Sequence, residues 1–284
     1  MLTEDRARGD VPFCVVAQLG SINVGAVDPI DAIADVCERH GVWLHGDGAV
    51  GLLAAGVPET AELFQGLERA DSVSCDAHKL LGVPNDCGVV MVRHAERLRR
   101  AFSIGAPYLR SSLESENHAF DFFEYGPQMS RAFRALKVWM TMRFFGARAL
   151  RELFSKNIGL AHRLHGRVRE HPNFEVLHQP SLYVYSFRYV PIELLDRSGE
   201  PGIAALLDRL NEEIAEAVRQ SGVAMIMTTR IRGAVALRMS ICSHRTLEED
   251  VDRTFSEIAS VGRALSRERV ALDRERLQLE VSPC

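Results

Sequence analysis

The chain has 284 residues and a mass of 31.6 kDa, room for one large α/β domain or two ordinary ones. With 46% hydrophobic and 25% charged residues its composition is globular, which excludes a disordered or fibrous chain. Its 34 Lys+Arg against 38 Asp+Glu leave a net charge of −4 and no basic stripe for nucleic acid, the start MLTEDRARGD is too charged for a signal peptide, and no apolar run reaches the ~20 residues of a bilayer span, so a soluble protein with no nucleic-acid or membrane partner is expected.

Residues 13–19 are a short, β-branched-rich run that predicts a strand, closed by Gly20-Ser21 and a turn-like stretch to Asp28-Pro29. Asp28 reads as an N-cap with Pro29 at the first helical position; Ile30, Ile33, Ala34 and Cys37 recur at helical spacing, and Gly41 ends the helix. Residues 42–45 predict a second strand with Asp47 just past its end. A helix is expected over 61–67, a third strand over 71–75 and a fourth over 87–92. This alternation is the signature of a parallel sheet with crossover helices. Residues 102–127 lack a clear period and contain Gly105, Pro107, Gly126 and Pro127, a long loop of the kind that is usually functional or disordered. Helical patterning returns over 131–170 with a break at Gly146. Strands follow over 174–176 and 183–189, a helix over 203–220, a strand over 235–241, and a last helix from near Glu248 whose charged end, 263–280, reads as solvated. The expected architecture is α/β: a partial large domain over 1–137 with a parallel-rich sheet, then a smaller α+β domain over 138–284.

In open parallel sheets, ligands bind beyond the carboxyl ends of strands, where loops gather. Asp47, within His45-Gly46-Asp47-Gly48-Ala49, and the segment Asp76-Ala77-His78-Lys79 fall at two such ends and can face one crevice. Tyr108 stands in the long loop. Each has an ordinary explanation alone: an Asp at a strand end caps local backbone, a loop lysine is solvated, and a loop tyrosine packs at an interface. Together they suit pyridoxal phosphate, which needs an amine to join its aldehyde and a carboxylate to keep its pyridine nitrogen protonated, so that the ring withdraws electrons from the substrate's Cα. Ala49 is small enough to let such a ring lie flat. The amine has to be partly deprotonated, which burial and neighbouring cations achieve. The six cysteines, at 14, 37, 75, 87, 242 and 284, form no CxxC pair, so no metal site or disulfide scaffold is expected, and free thiols fit a reducing cytoplasm.

Beyond these residues, the sequence resembles the group II pyridoxal-phosphate-dependent amino-acid decarboxylases, the family of the aromatic-L-amino-acid, histidine and glutamate decarboxylases. The likeness is carried by AVDPIDAIAD at 26–35, WLHGDGAVG at 43–51, LERADSVSCDAHKLLGVPNDCG at 67–88, YGPQMSRAFRALKVW at 125–139 and LRMSICSHRT at 237–246. It implies a fold type I, PLP-dependent transferase-like architecture, pyridoxal 5'-phosphate as cofactor, and a homodimer with its site at the subunit interface. The reaction it implies is decarboxylation of an L-amino acid to an amine and carbon dioxide. Position by position, the resemblance implies that Lys79 binds the cofactor, Asp47 pairs with its pyridine nitrogen and Ala49 packs on the ring. His78 and Asp76 would lie near the phosphate, Ser21 near the ring substituents, His45 behind them, and Arg131 would support the site. Tyr108, 29 residues beyond Lys79, falls on the family's loop tyrosine, which delivers a proton to Cα after carbon dioxide leaves, whereas relatives with phenylalanine there form aldehydes.

Family members also have an N-terminal region, with a dimer-wrapping arm, serine-rich phosphate-binding turns and a ring-stacking histidine, that this sequence does not match. Gly46, Leu80 and Ala132 stand where relatives usually have a β-branched residue, tryptophan and arginine. Two readings follow. One is a decarboxylase, or its C-terminal part, that works when the remaining region is supplied by another chain or a longer reading frame. The alternative is a catalytically inactive remnant that binds a full-length relative.

Overall fold

The computed structural model describes residues 1–103 and 121–280, with side chains to residue 269. After a short α1 (Leu2–Ala7), strands β1 (Cys14–Gln18), β2 (Trp43–Asp47), β3 (Ser72–Asp76) and β4 (Gly88–Val92) form one sheet in that spatial order. The first three are parallel, while β4 runs antiparallel to β3, with Ser72 opposite Val92 and Asp76 opposite Gly88. The sheet is parallel-rich as expected, but the simple alternation of strand and crossover helix fails at β4. No helix lies between β3 and β4; the connection turns through Gly82 and Pro84, and without a crossover the chain can only fold back beside β3.

Local chemistry sets the other boundaries. Helix α2 (Ile30–His40) ends at Gly41, whose φ of 61° is the left-handed conformation that lets the Gly41 and Val42 amides close on the last turn. Asp28 does not cap this helix as expected. Its carboxylate accepts the Gln18 N–H at 2.8 Å and so pins the approach to α2 against β1. The helix expected over 61–67 is replaced by two short 3-10 segments, Pro58–Phe64 and Leu67–Arg69, parted at Gly66; a third, Leu52–Gly56, precedes them. Asp47 is the last residue of β2, which runs two residues further than the expected end at 45.

Strand side chains alternate between faces. Ala17, Leu19, Leu44 and Cys75 enter a core with Ile30 and Ala34 of α2 and with Leu150, Phe154 and Ile158. The opposite face is mixed: exposed Val16 and Val90 lie on it, the Trp43 indole N–H donates to Ser72 Oγ at 2.8 Å, and His45 Nδ1 lies 2.8 Å from the same hydroxyl.

Beyond α3 (Ala95–Phe102), α4 (Arg134–Glu170) leads to a second sheet of β5 (Phe174–Glu175), β6 (Val184–Tyr189), β7 (Met227–Ile231) and β8 (Ala234–Ser240), antiparallel throughout in the order β5-β6-β8-β7. Gly146 breaks α4 as expected, with φ 77° and ψ 156°. Helices α5 (Pro201–Gln220) and α6 (Glu248–Glu280) pack with the inner part of α4 on this sheet around Phe174, Tyr185, Phe187, Leu207 and Phe255. The two sheets are tied together at the loops that follow β1 and β2. Buried Tyr183 donates to Val50 O at 2.5 Å, and Ser186 Oγ donates to Asn23 O at 2.7 Å. Among the described residues no helix is long and apolar enough to cross a membrane, and Cys14, Cys37, Cys75, Cys87 and Cys242 are free thiols.

Candidate active site at the carboxyl edge of the parallel strands

Because β1, β2 and β3 are parallel and in register, their carboxyl ends line one edge. Gln18 is opposite Asp47, and Asp47 is opposite Ser74. The loop ends also interlock, since Leu19 N–H donates to Asp47 O at 2.8 Å and Gly48 N–H to Ser74 O at 3.0 Å. This edge brings together Ser21, Asp47, Ala49, Asp76, His78 and Lys79 on three consecutive strand ends.

Asp47 is half-buried. Its Oδ1 accepts the Ala49 N–H at 3.1 Å and lies 3.5 Å from Ser74 Oγ, while Oδ2 has no partner among the described residues. Ala49 thus orients the carboxylate through its backbone, a role its small side chain did not suggest. Behind it the floor is made of glycine: a Cβ at Gly48 would sit 2.3 Å from Leu52 Cβ, and one at Gly51 would sit 2.1 Å from Leu19 O. Gly46 has an equally local reason, since a Cβ there would meet Leu19 Cδ1 at 2.7 Å.

Lys79 follows β3 in a turn closed by its own N–H on Asp76 O at 3.0 Å. Its Nζ lies 2.8 Å from Asp76 Oδ2, and its side chain is 40% exposed. Burial and neighbouring cations were the expected surroundings of this amine, but here a carboxylate is its neighbour and orients it. The His78 ring is fixed from behind: Nδ1 accepts the Cys87 N–H at 3.1 Å, leaving Nε2 without a partner among the described residues. Ser21 Oγ accepts the Ala26 N–H at 3.3 Å within a tight loop, so this hydroxyl braces the β1 end. Cys75, between Ser74 and Asp76, is no nucleophile, as burial pushes its thiol up to about 11.

Arg131 is exposed and donates to Phe122 O at 3.3 Å. Tyr108 lies outside the described residues. Sequence reasoning missed Tyr183 and Ser186, which brace the loops, and Arg134 and Lys137 at the start of α4, whose side chains reach the loop after Lys79. Only the spacing of Arg134 and Lys137, one helical turn apart, carried a local signal.

The residues present fit pyridoxal phosphate. An amine and a carboxylate oxygen that has no hydrogen-bond partner among the described residues stand on adjacent strand ends over a floor where a Cβ at Gly48 or Gly51 would clash. Lys79 would hold the cofactor through its amine and Asp47 at the pyridine nitrogen.

Comparisons with known proteins point to the same cofactor. The model of the pyridoxal-dependent decarboxylase conserved domain matches residues 1–190. The chain is 32% identical over 265 residues to an aromatic-L-amino-acid decarboxylase of Bacillus atrophaeus, covering 93% of this chain and 54% of that protein. It is 32% identical over 260 residues to an acidic amino acid decarboxylase of Mus musculus, covering 91% and 47%. Among solved structures, the Oryza sativa TDC with PLP and tryptamine superposes with a TM-score of 0.85 at 28% identity, over 93% of this chain and 53% of that one. The chain spans about half the length of the curated relatives it matches.

Proposed function

Because the chain belongs to the pyridoxal-dependent decarboxylase family, we propose that it carries the lysine and aspartate of a site that removes carbon dioxide from an L-amino acid and leaves the amine. One observation carries this reading: Asp47, with one oxygen fixed and the other open, sits beside the strand whose end bears Lys79. Pyridoxal phosphate, when bound, supplies a ring that withdraws electrons from the substrate's Cα. Asp47 contributes a negative charge that favours a protonated ring nitrogen. Ala49 N–H holds that carboxylate in place, so no reorientation is needed when the charge is used. Lys79 Nζ would be the amine that attaches the cofactor, and Asp76 fixes its direction. Tyr108, by its place in the sequence, is the proton donor to Cα, which makes the product an amine rather than an aldehyde.

The experiment is direct. The purified chain mixed with pyridoxal phosphate is expected to gain a visible absorbance band that Lys79→Ala removes, and to release amine from an L-amino acid once the part of its relatives that this chain does not span is supplied alongside it. A wild-type spectrum identical to that of Lys79→Ala refutes the reading and favours a remnant without cofactor. The working form in this proposal is a homodimer, supported by the exposed apolar side chains of Trp139, Met140, Phe144 and Phe145 on α4. Sedimentation at monomer mass would refute it. A cytoplasmic setting is proposed from the free thiols, and cell fractionation tests it.

A further inference from the structure

The first turn of α4 touches the loop that returns from Lys79 to β4. Lys137 Nζ donates to Pro84 O at 2.9 Å and to Asp86 O at 3.0 Å. Arg134 reaches the same loop through Asp86 Oδ2, with Nη2 at 2.9 Å and Nε at 3.2 Å, and its remaining Nη1 donates to Gln128 Oε1 at 3.2 Å. The next residue is Cys87, whose N–H is the donor to His78 Nδ1 and whose thiol lies 3.8 Å from Arg134 O. Ala77, immediately before His78, packs with Val83 and Cys87, and Val138 of α4 closes that small cluster.

A surface ion pair alone would add little, typically under about 1 kcal/mol. Lys137 is different in kind. Its bonds go to two main-chain carbonyls, so it fixes the path of the backbone entering Cys87 and with it the direction of the Cys87 N–H. An Nδ1 that accepts this N–H obliges a neutral imidazole to carry its proton on Nε2.

We propose that Lys137 and Arg134 are positioning residues that, by gripping the 84–87 loop, set the orientation and tautomer of His78 and the pose of the turn bearing Lys79. The proposal deepens the function proposed above, and only its second readout rests on that function.

The first readout is long-range proton–nitrogen NMR of the full chain labelled in histidine, with His78→Gln assigning the signal. The wild type is expected to show the Nε2–H tautomer. Lys137→Met, which keeps the alkyl stem but loses the donors, and Arg134→Met are expected to show mixed tautomers, while Lys137→Arg retains the wild-type pattern. Leu210→Ala, destabilised in the core of the second sheet, should leave His78 untouched. The second readout is the yield of pyridoxal phosphate fixed to Lys79 by borohydride, measured by mass spectrometry. It is expected to fall at least tenfold in both methionine variants and to return in Lys137→Arg. An unaltered His78 tautomer in the methionine variants, an equal change in Leu210→Ala, or an unchanged yield where the wild type is labelled overturns the proposal. Absence of labelling in the wild type counts against the proposed function, and the NMR result then decides the positioning role alone.

Discussion

Gly48→Ala probes whether the glycine floor behind Asp47 is needed. The added Cβ would lie 2.3 Å from Leu52 Cβ and 2.6 Å from Ser74 O, the carbonyl that the Gly48 N–H also uses at 3.0 Å. Two of the three close atoms belong to backbone or to a Cβ fixed on backbone, so no side-chain rotation relieves the clash. Overpacking of this kind costs about 1–3 kcal/mol. At about 2–4 °C per kcal/mol for a large domain, the thermal midpoint should fall by roughly 2–12 °C. The shift should also pull the Ala49 N–H from Asp47 and weaken pyridoxal phosphate binding. Gly56→Ala is the matched control, because a Cβ there meets nothing within 4 Å and its backbone is not in the left-handed region. Removing a glycine at such a site is neutral or stabilising, by up to about 1 kcal/mol. Circular dichroism melts of both variants, with and without cofactor, measure the contrast. If Gly48→Ala melts together with Gly56→Ala and binds cofactor as the wild type does, the close approach of β2 and β3 at their ends is not what holds Asp47.

Asp47→Asn keeps an acceptor for the Ala49 N–H but removes the charge. A loss of 1–3 pKa units at the ring nitrogen corresponds to about a 10- to 1000-fold drop in amine production, read by product assay with the melting temperature unchanged. Tyr108→Phe is expected to suppress amine and permit aldehyde; identical product ratios in mutant and wild type would remove Tyr108 from the mechanism. A pH dependence comes from the second sheet. His178 Nε2 accepts the Ser186 N–H at 3.2 Å, and Nδ1 lies 2.8 Å from Gln179 O; burial lowers its pKa from 6.5, with the Gln179 bond opposing. The unfolded chain therefore binds the proton more readily, so this contribution is full above about pH 6.5 and is lost as pH falls through the lower folded value. Urea unfolding between pH 5 and 7 should show stability rising with pH, less steeply in His178→Gln; equal slopes would show that His178 does not contribute.

The fold was legible wherever burial imposes a period. Strand β2 buries one face, and both β2 and β3, which end at Asp47 and Asp76, were placed to within a residue or two. Strand β7 escaped notice because Met-Thr-Thr-Arg-Ile is an edge strand with most side chains exposed, and nothing alternates when neither face is buried. The direction of β4 was equally invisible, since a strand's own residues read the same in either sense and only the helix-free connection decides it. The 3-10 segments failed for the opposite reason. Their buried residues Leu52, Ala54, Thr60 and Phe64 face the core, but glycine and proline prevent the regular turn that the spacing suggested.

The candidate site divides along the same physical line. Amine and carboxylate were legible because a strand end followed by small or charged residues is a local pattern, and parallel strands must bring such ends to one edge. What orients them is not local. Tyr183 reaches back 133 residues to Val50, Ser186 reaches 163 to Asn23, and Lys137 reaches 53 to Pro84. Each donates to main-chain carbonyl oxygens, and a carbonyl is present in every residue, so no choice of side chain at the receiving end marks the contact. The reactive groups and their supports are therefore encoded differently. The groups are fixed by residue type at a strand end, whereas the supports are fixed by where the second sheet and α4 happen to lie against that edge. Substitutions that keep the site residues but move β6 or the first turn of α4 should consequently disturb the geometry of Asp47 and Lys79 while leaving every recognisable motif intact.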